Sequence, residues 1–441
     1  MTKLNKTLSL YGLTMMVIGA CIGSGIFLTP SQIAGHLTTT NLILLVWVVG
    51  GVLSLTGALT YAELSGMFPK AGGVYVYLKE AYGPIAGFMF GWAYFTIINT
   101  GTIAALAIAF TNYFSFLFPM GEVGETITTI AVIAIVSIIN IFRVKLVEWF
   151  TNVFTGLKLL GIGAIIVAGF IWGSSEMMNE TSTSIVSANN ETNTLSAFGL
   201  ALIGVLWSFS GWHHISYLSG EAKNAKRTIP LAMIIGTLVV TVVYLLTNFS
   251  FMYLLPIQEI ANSESVAANA ISTIISSGGI IIAIMIAIST FGTALINTLV
   301  APRIYYAMAD DGIFFKGLAK IHPEYKTPVN AIIAQAFWAI VLVIMWGSFE
   351  AVITYVVFID WIFFIFVAFI VILFRHTRKD LERSYKTIGY PITPAIFIIT
   401  SFLFVVNTLI NNPLYAGAGL VFLGLGLPFY YFFKRKKNFN E

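Results

Sequence analysis

Long apolar runs recur along the chain, each about the length that crosses a hydrocarbon core, with short polar connections between them. They fall at roughly 10–36, 40–66, 84–118, 124–142, 146–172, 195–219, 229–254, 276–302, 329–347, 351–374, 391–410 and 413–433. None alternates polar and apolar residues as a barrel strand must. A helix also satisfies its own backbone where there is no water. The pattern therefore predicts an all-α membrane protein of about twelve transmembrane helices, forming one bundle over 1–441. The first run is followed by further spans, so it reads as a span itself rather than a cleaved leader.

Two runs carry helix breakers in their middle. Ile18 to Phe27 holds Gly19, Gly23 and Gly25 close together, around Ser24. Leu206 to His214 reads Leu-Trp-Ser-Phe-Ser-Gly-Trp-His-His. A glycine in a membrane helix often serves close packing, but clusters at Gly23–Gly25 and Ser208–Gly211 point to unwinding. The broken segments are the first and the sixth, so each opens a set of five. Five is odd, and the second set must cross the membrane in the opposite sense. Residues 10–172 and 195–374 thus read as inverted repeats, with 391–433 adding two helices, and paired breaks of this kind mark a substrate site.

Charge then fixes the orientation. Lys3 and Lys6 precede the first run; Lys70 and Lys79, Arg143 and Lys145, and Lys223, Lys226 and Arg227 occupy the second, fourth and sixth connections. Arg303, Lys316, Lys320 and Lys326 follow in the eighth, then Arg375, Arg378, Lys379, Arg383 and Lys386 in the tenth. Lys434, Arg435, Lys436 and Lys437 come after the last run, and the odd connections hold acids only, among them Glu122, Glu176, Glu259 and Glu350. The rule that basic loops stay inside sets both termini in the cytoplasm of a multi-pass cell-membrane protein. The basic excess is thus explained by topology and implies no nucleic-acid partner. Asn179 and Asn190 begin glycosylation-type triplets in an outer loop.

Composition agrees: 58% of residues are hydrophobic and 10% charged, against about 25% charged in soluble domains. A single cysteine, Cys21, excludes an internal disulfide. No spacing suggests a metal or cofactor site, and no convergent catalytic set suggests an enzyme. Rings of repeated charge, as in channels, and a soluble sensor domain are both missing from the pattern.

The chemistry that remains suits a zwitterion. A half-helix starting near Gly25 turns N–H groups and its positive end toward a carboxylate. Carbonyls freed near Ile18, Gly19 and Trp207 can accept from an ammonium group. Lys158 alone among 23 basic residues lies inside a predicted span, where a charge costs roughly 2.5–3.5 kcal/mol and needs partners. Asp360 is an acid inside the tenth run, and it either pairs with Lys158 or carries a proton. Glu63 is expected to cap or pair locally, and the aromatic run Trp361 to Phe366 to pack.

The stretch Gly19 to Pro30, Gly-Ala-Cys-Ile-Gly-Ser-Gly-Ile-Phe-Leu-Thr-Pro, resembles a family signature, and further motifs follow in order. They include Tyr61-Ala-Glu-Leu64, Pro69 to Tyr75, Lys158-Leu-Leu, Gly211-Trp212, Pro302 to Met308 and His322 to Pro328. As a set they resemble the L-type amino acid transporter branch of the amino acid–polyamine–organocation superfamily. The resemblance implies inverted five-helix repeats, alternating access and sodium-independent exchange of neutral L-amino acids. A proton-coupled symporter of the same fold is the alternative. By position, Ser24 and Gly25 would hold the substrate carboxylate, and carbonyls of Cys21, Trp207 and Ser210 would face its amino group. Trp207 would close over the substrate and Tyr244 would stand near it. Lys158 would occupy the sodium position of coupled relatives, linking the first break to hydroxyls of Ser289 and Thr290. An outer cysteine that joins a glycoprotein partner in animal relatives has no counterpart, so no disulfide-linked subunit is expected. His213, His214, Leu295 and Asp360 depart from the pattern, at positions where amides or other neutral polar residues are usual.

Overall fold

Ser9 starts the first membrane helix. Its hydroxyl accepts from the Gly12 N–H at 3.1 Å, and α1 (Leu10–Cys21) runs on from there. The computed structural model describes residues 6–142, 144–175, 177, 194–263, 265–346 and 349–438. Arg143, Glu176, the two glycosylation-type triplets and the side chain of Glu350 therefore lie outside the described residues. After α1 the helix stops for Ile22 to Ser24 and resumes as α2 (Gly25–His36). Thr39 caps α3 (Thr40–Met67), accepting from the Leu42 N–H.

Next come α4 (Val74–Tyr82), α5 (Pro84–Ala93), a π-turn (Tyr94–Ile98), α6 (Asn99–Leu117), α7 (Glu122–Ile141) and α8 (Val144–Trp172). Helix α9 (Thr194–Phe209) ends in a turn and a 3-10 helix (His214–Glu221). Then follow α10 (Ala225–Leu254), α11 (Ile257–Ala261), α12 (Val266–Ser272), α13 (Gly278–Val300) and α14 (Pro302–Asp310). A short 3-10 turn precedes α15 (Val329–Trp346), and α16 (Phe349–Thr377), α17 (Ile392–Asn411) and α18 (Pro413–Asn438) complete the bundle. Both predicted breaks are present, at Ile22–Ser24 and at Ser210–His213. Gly211 adopts φ of +121°, a conformation costly for a residue with a Cβ, so the second break needs glycine there.

Among the described residues, regular structure is helical apart from one isolated parallel bridge between Leu8 and Ala222. Eleven stretches are long and apolar enough to cross a membrane, and Val329–Met345 is a shorter apolar helix. The apolar runs mark these helices closely. Helices α4, α11, α12 and α14 escape them, being five to nine residues long, too short for a window of about 20.

One end of the bundle is held by charge and backbone. Thr7 and Leu8 donate N–H to the Glu221 carbonyl at 2.9 and 3.0 Å, and Lys223 N–H donates back to the Leu8 carbonyl at 2.9 Å. The Glu221 carboxylate accepts from Arg303 Nε at 2.7 Å and Nη2 at 3.2 Å, with both side chains buried. Glu63 does not pair locally as expected. It accepts from Arg375 and Arg383, on α16 and just beyond it, and from the Thr387 N–H at 2.8 Å. Lys79 meets Asp311 at 2.6 Å, and Tyr75 donates to the same carboxylate. Burial and that bond hold the Tyr75 hydroxyl well above the ordinary tyrosine range. The basic residues at this end thus tie helices together.

Candidate substrate site

The two breaks face each other at the middle of the bundle. Gly25 permits this, because a Cβ there would stand 2.6 Å from Ser208 Cα. Only a residue without a side chain lets α2 begin against α9. A small cavity of about 20 Å³ lies between the breaks, lined by Cys21, Gly23, Ser24, Gly25, Trp207, Ser210 and His214, with Thr102, Leu106, Thr293 and Asn297 closing it. Ser24 is 1% exposed, and among the described residues its hydroxyl has no partner. It stands at the N-terminus of α2, where the first N–H groups of a helix lack intrahelical acceptors. Oxygen of a carboxylate fits both features.

The carbonyls are busier than the sequence suggests. Ile18 accepts from the Ile22 N–H at 2.8 Å, and Trp207 from the Ser210 N–H at 3.0 Å. Tyr244 directs its hydroxyl at the carbonyls of Cys21 (2.6 Å) and Ser208 (2.8 Å), and the Cys21 thiol reaches the Phe209 carbonyl. Tyr244 therefore braces the first break against the second. The Cys21 carbonyl also accepts from the Gly23 N–H at 2.8 Å, so both its lone pairs are engaged, whereas the Ile18 and Trp207 carbonyls each keep a second lone pair that an ammonium group can use.

Lys158 fills the first break from α8. Its ammonium donates to the carbonyls of Gly19 (3.0 Å) and Ile22 (2.7 Å) and to Thr293 Oγ1 (2.7 Å). A buried cation is thus met by three oxygens, as its desolvation requires. Among the described residues it makes no ion pair with Asp360. Ser289 also reaches this break, 3.2 Å from the carbonyls of Ile22 and Gly23. Thr290 does not. Its hydroxyl bonds back to Ile286 and Ala287 on its own helix. The second hydroxyl comes from Thr293, which lies four residues after Ser289 and shares its helix face. That spacing was the signal in the sequence, whereas the resemblance implied Thr290.

His214 lines the cavity, whereas His213 packs behind it against Tyr61, Trp212 and Phe364. Leu295 is buried, and its carbonyl accepts from Asn140. Asp360 is buried away from the cavity lining. Two larger cavities open elsewhere. One of about 300 Å³ lies among residues including Ile33, Leu200, Ile353 and Tyr415, and one of about 640 Å³ among residues including Asn112, Asn262 and Asn269. Among the described residues no group of histidine, cysteine and acidic side chains could hold a metal ion.

Comparison with known proteins agrees with this geometry. The family model described as amino acid permease matches residues 8–425. The chain is 32% identical to the serine/threonine exchanger SteT of Bacillus subtilis (strain 168), over 98% of each chain. It is 31% identical to the human b(0,+)-type amino acid transporter 1, over 99% of this chain and 89% of that one. The human cystine/glutamate transporter is 27% identical, over 98% and 86% respectively. A helical bundle with eleven membrane-length stretches, a backbone site between two broken helices and these relatives have one reading: the chain belongs to the amino acid permease family, as a multi-pass membrane transporter of the L-type exchanger kind rather than an enzyme.

Proposed function

We propose that the protein exchanges small or medium neutral L-amino acids, such as alanine, serine and cysteine, across the cell membrane by alternating access and without sodium. On this proposal 10–172 and 195–374 act as inverted five-helix repeats, 391–433 adds two helices, and both termini are cytoplasmic. The protein works without a disulfide-linked subunit, its one cysteine being the buried Cys21. Ser24 and the first N–H groups of α2 take the carboxylate. The carbonyls of Trp207 and Ser210, and that of Cys21 once Tyr244 or Gly23 releases it, receive the ammonium, under Trp207.

The observation that carries sodium independence is the Lys158 ammonium, seated on the Gly19 and Ile22 carbonyls where a bound cation would otherwise sit. A fixed positive charge fills that place and excludes a second. Small substrates follow from Thr102, Leu106 and His214 standing against the cavity, and a relative named as a serine/threonine exchanger supports the same size class. A cavity of about 20 Å³ holds about one water, so the breaks must part to admit an amino acid.

The test is labelled serine uptake into proteoliposomes loaded with alanine or left empty, in sodium or choline buffer. Exchange predicts uptake that needs internal alanine and is equal in both buffers. Equal uptake into empty vesicles would rule it out.

A further inference from the structure

Behind the substrate cavity lies a second polar cluster that the exchange reading does not use. His213 is fully buried, and among the described residues neither ring nitrogen has a partner; the same holds for His214 Nδ1, the Tyr61 hydroxyl and Asp360 Oδ1. Ring geometry places these groups together. His213 stands 4.6 Å from His214, 5.7 Å from Tyr217 and 6.3 Å from Tyr61, centroid to centroid. Phe364 is 4.7 Å from His213 and lies one helical turn beyond Asp360, so the Asp360 face of α16 is the face turned to the histidine. Asp360 is within electrostatic reach of Tyr61, Tyr94 and Tyr217, on α3, the π-turn and the 3-10 helix.

So many unpaired polar groups in one buried place are rare in proteins and call for a ligand. The ligand is small, because the surrounding rings leave little room. It is cationic or able to donate, because Asp360 and the neutral histidine nitrogens offer acceptors. A metal ion does not fit, since among the described residues no three histidine, cysteine or acidic side chains are arranged to hold one. Among the described residues no arginine or lysine pairs with Asp360, which leaves a carboxylate inside the bilayer without a countercharge. Helices α9 and α17, also packed against α16, carry no acid, base or tyrosine; α6 and α18 pack on it too and carry Tyr113 and, on α18, Tyr415, Tyr430, Tyr431 and Lys434, while Tyr77 of α4 is the further titratable group near Tyr61.

We propose that Asp360 and His213 form a proton-binding site that must hold one proton for transport to proceed. This rests on the exchanger reading and adds a control to it. A proton arriving on water leaves that water neutral and forms one O–H on Asp360, which removes the charge from the polar cluster. His213 abuts His214, and His214 lines the substrate cavity, so the protonated pair holds the second break in shape. Loss of the proton leaves a net negative charge in the bilayer interior beside the break and arrests the exchange cycle.

The experiment is serine–alanine exchange in proteoliposomes with the same pH on both sides, for the wild type, Asp360→Asn and His213→Asn. Wild-type exchange should fall about fivefold or more from about pH 6 to about pH 9. Asp360→Asn carries a permanently neutral donor and should give a flat profile, while His213→Asn should move the midpoint. A companion measurement needs no variant: buffers of different ionisation enthalpy, in calorimetry of serine binding to the wild type, report protons taken up. Above the midpoint that number should exceed zero. Identical pH profiles for wild type and Asp360→Asn, or zero proton uptake at every pH, would overturn the proposal. Exchange at about pH 6 in the same vesicles tests the exchanger reading separately, since it can succeed while the pH arm fails.

Discussion

Lys158 Nζ and Thr293 Oγ1 stand 2.7 Å apart, and both reach the carbonyls of Gly19 and Ile22. The lysine and the threonine, from helices α8 and α13, therefore hold the first break as one unit. Thr293→Val should slow exchange about tenfold, because it removes an acceptor from a buried ammonium. Thr293→Ser should restore most of the rate. Thr290→Val, which loses only bonds within its own helix, should stay near wild type. Lys158→Ala should abolish exchange. Initial rates in proteoliposomes decide the matter, and equal losses at 290 and 293 would contradict the assignment.

The approach of α2 to α9 depends on Gly25. Gly25→Ala places a Cβ against the Ser208 backbone and should leave less than about a tenth of wild-type exchange, since backbone cannot yield as a side-chain tip can. Gly163→Ala, in α8 with nothing within 4 Å, is the control. It should stabilise by about 0.5–1 kcal/mol or leave stability unchanged. Thermal midpoints in detergent, with transport rates beside them, separate the two cases.

Tyr244 braces Cys21 and Ser208 with one hydroxyl. Tyr244→Phe keeps the ring packing on Trp47 and Phe209 but loses both contacts. Half-saturation for serine should rise about tenfold, through carbonyls left less well ordered at about 1–1.5 kcal/mol. A change in stability with no change in half-saturation would mean that the tyrosine is only structural.

Glu221 and Arg303 form a fully buried pair. Glu221→Met or Arg303→Met alone strands a charge, at a cost of about 3–5 kcal/mol, and should lower the melting midpoint sharply. The double variant Glu221→Met with Arg303→Met should recover much of that loss. If the double variant melted as low as the singles, the carboxylate and guanidinium would not be acting on each other.

Much of this architecture was legible in sequence because membrane burial writes itself in runs of apolar residues and in the sidedness of basic loops. The breaks at Gly23–Gly25 and Gly211 could be read because helix interruption needs glycine and polar residues at adjacent positions. The partners of Lys158 could be read only in part. A helix face joins Ser289 to Thr293, whereas the resemblance implied Thr290. The engagement of the Cys21 carbonyl by Tyr244, 223 residues away, leaves no local trace. Nor does the pairing of Glu63 with Arg375 and Arg383, since side-chain reach across helices is set by packing and not by periodicity.

The short backbone bridge at Leu8 and Ala222 joins the chain just before the first broken helix to the chain just after the second. Those two strokes of chain are thus buckled together at the end where Glu221 holds Arg303. A pull on either is felt by both, and neither can swing aside alone. Parting the two from each other would break three backbone bonds in one event, so they travel as a pair or come apart all at once.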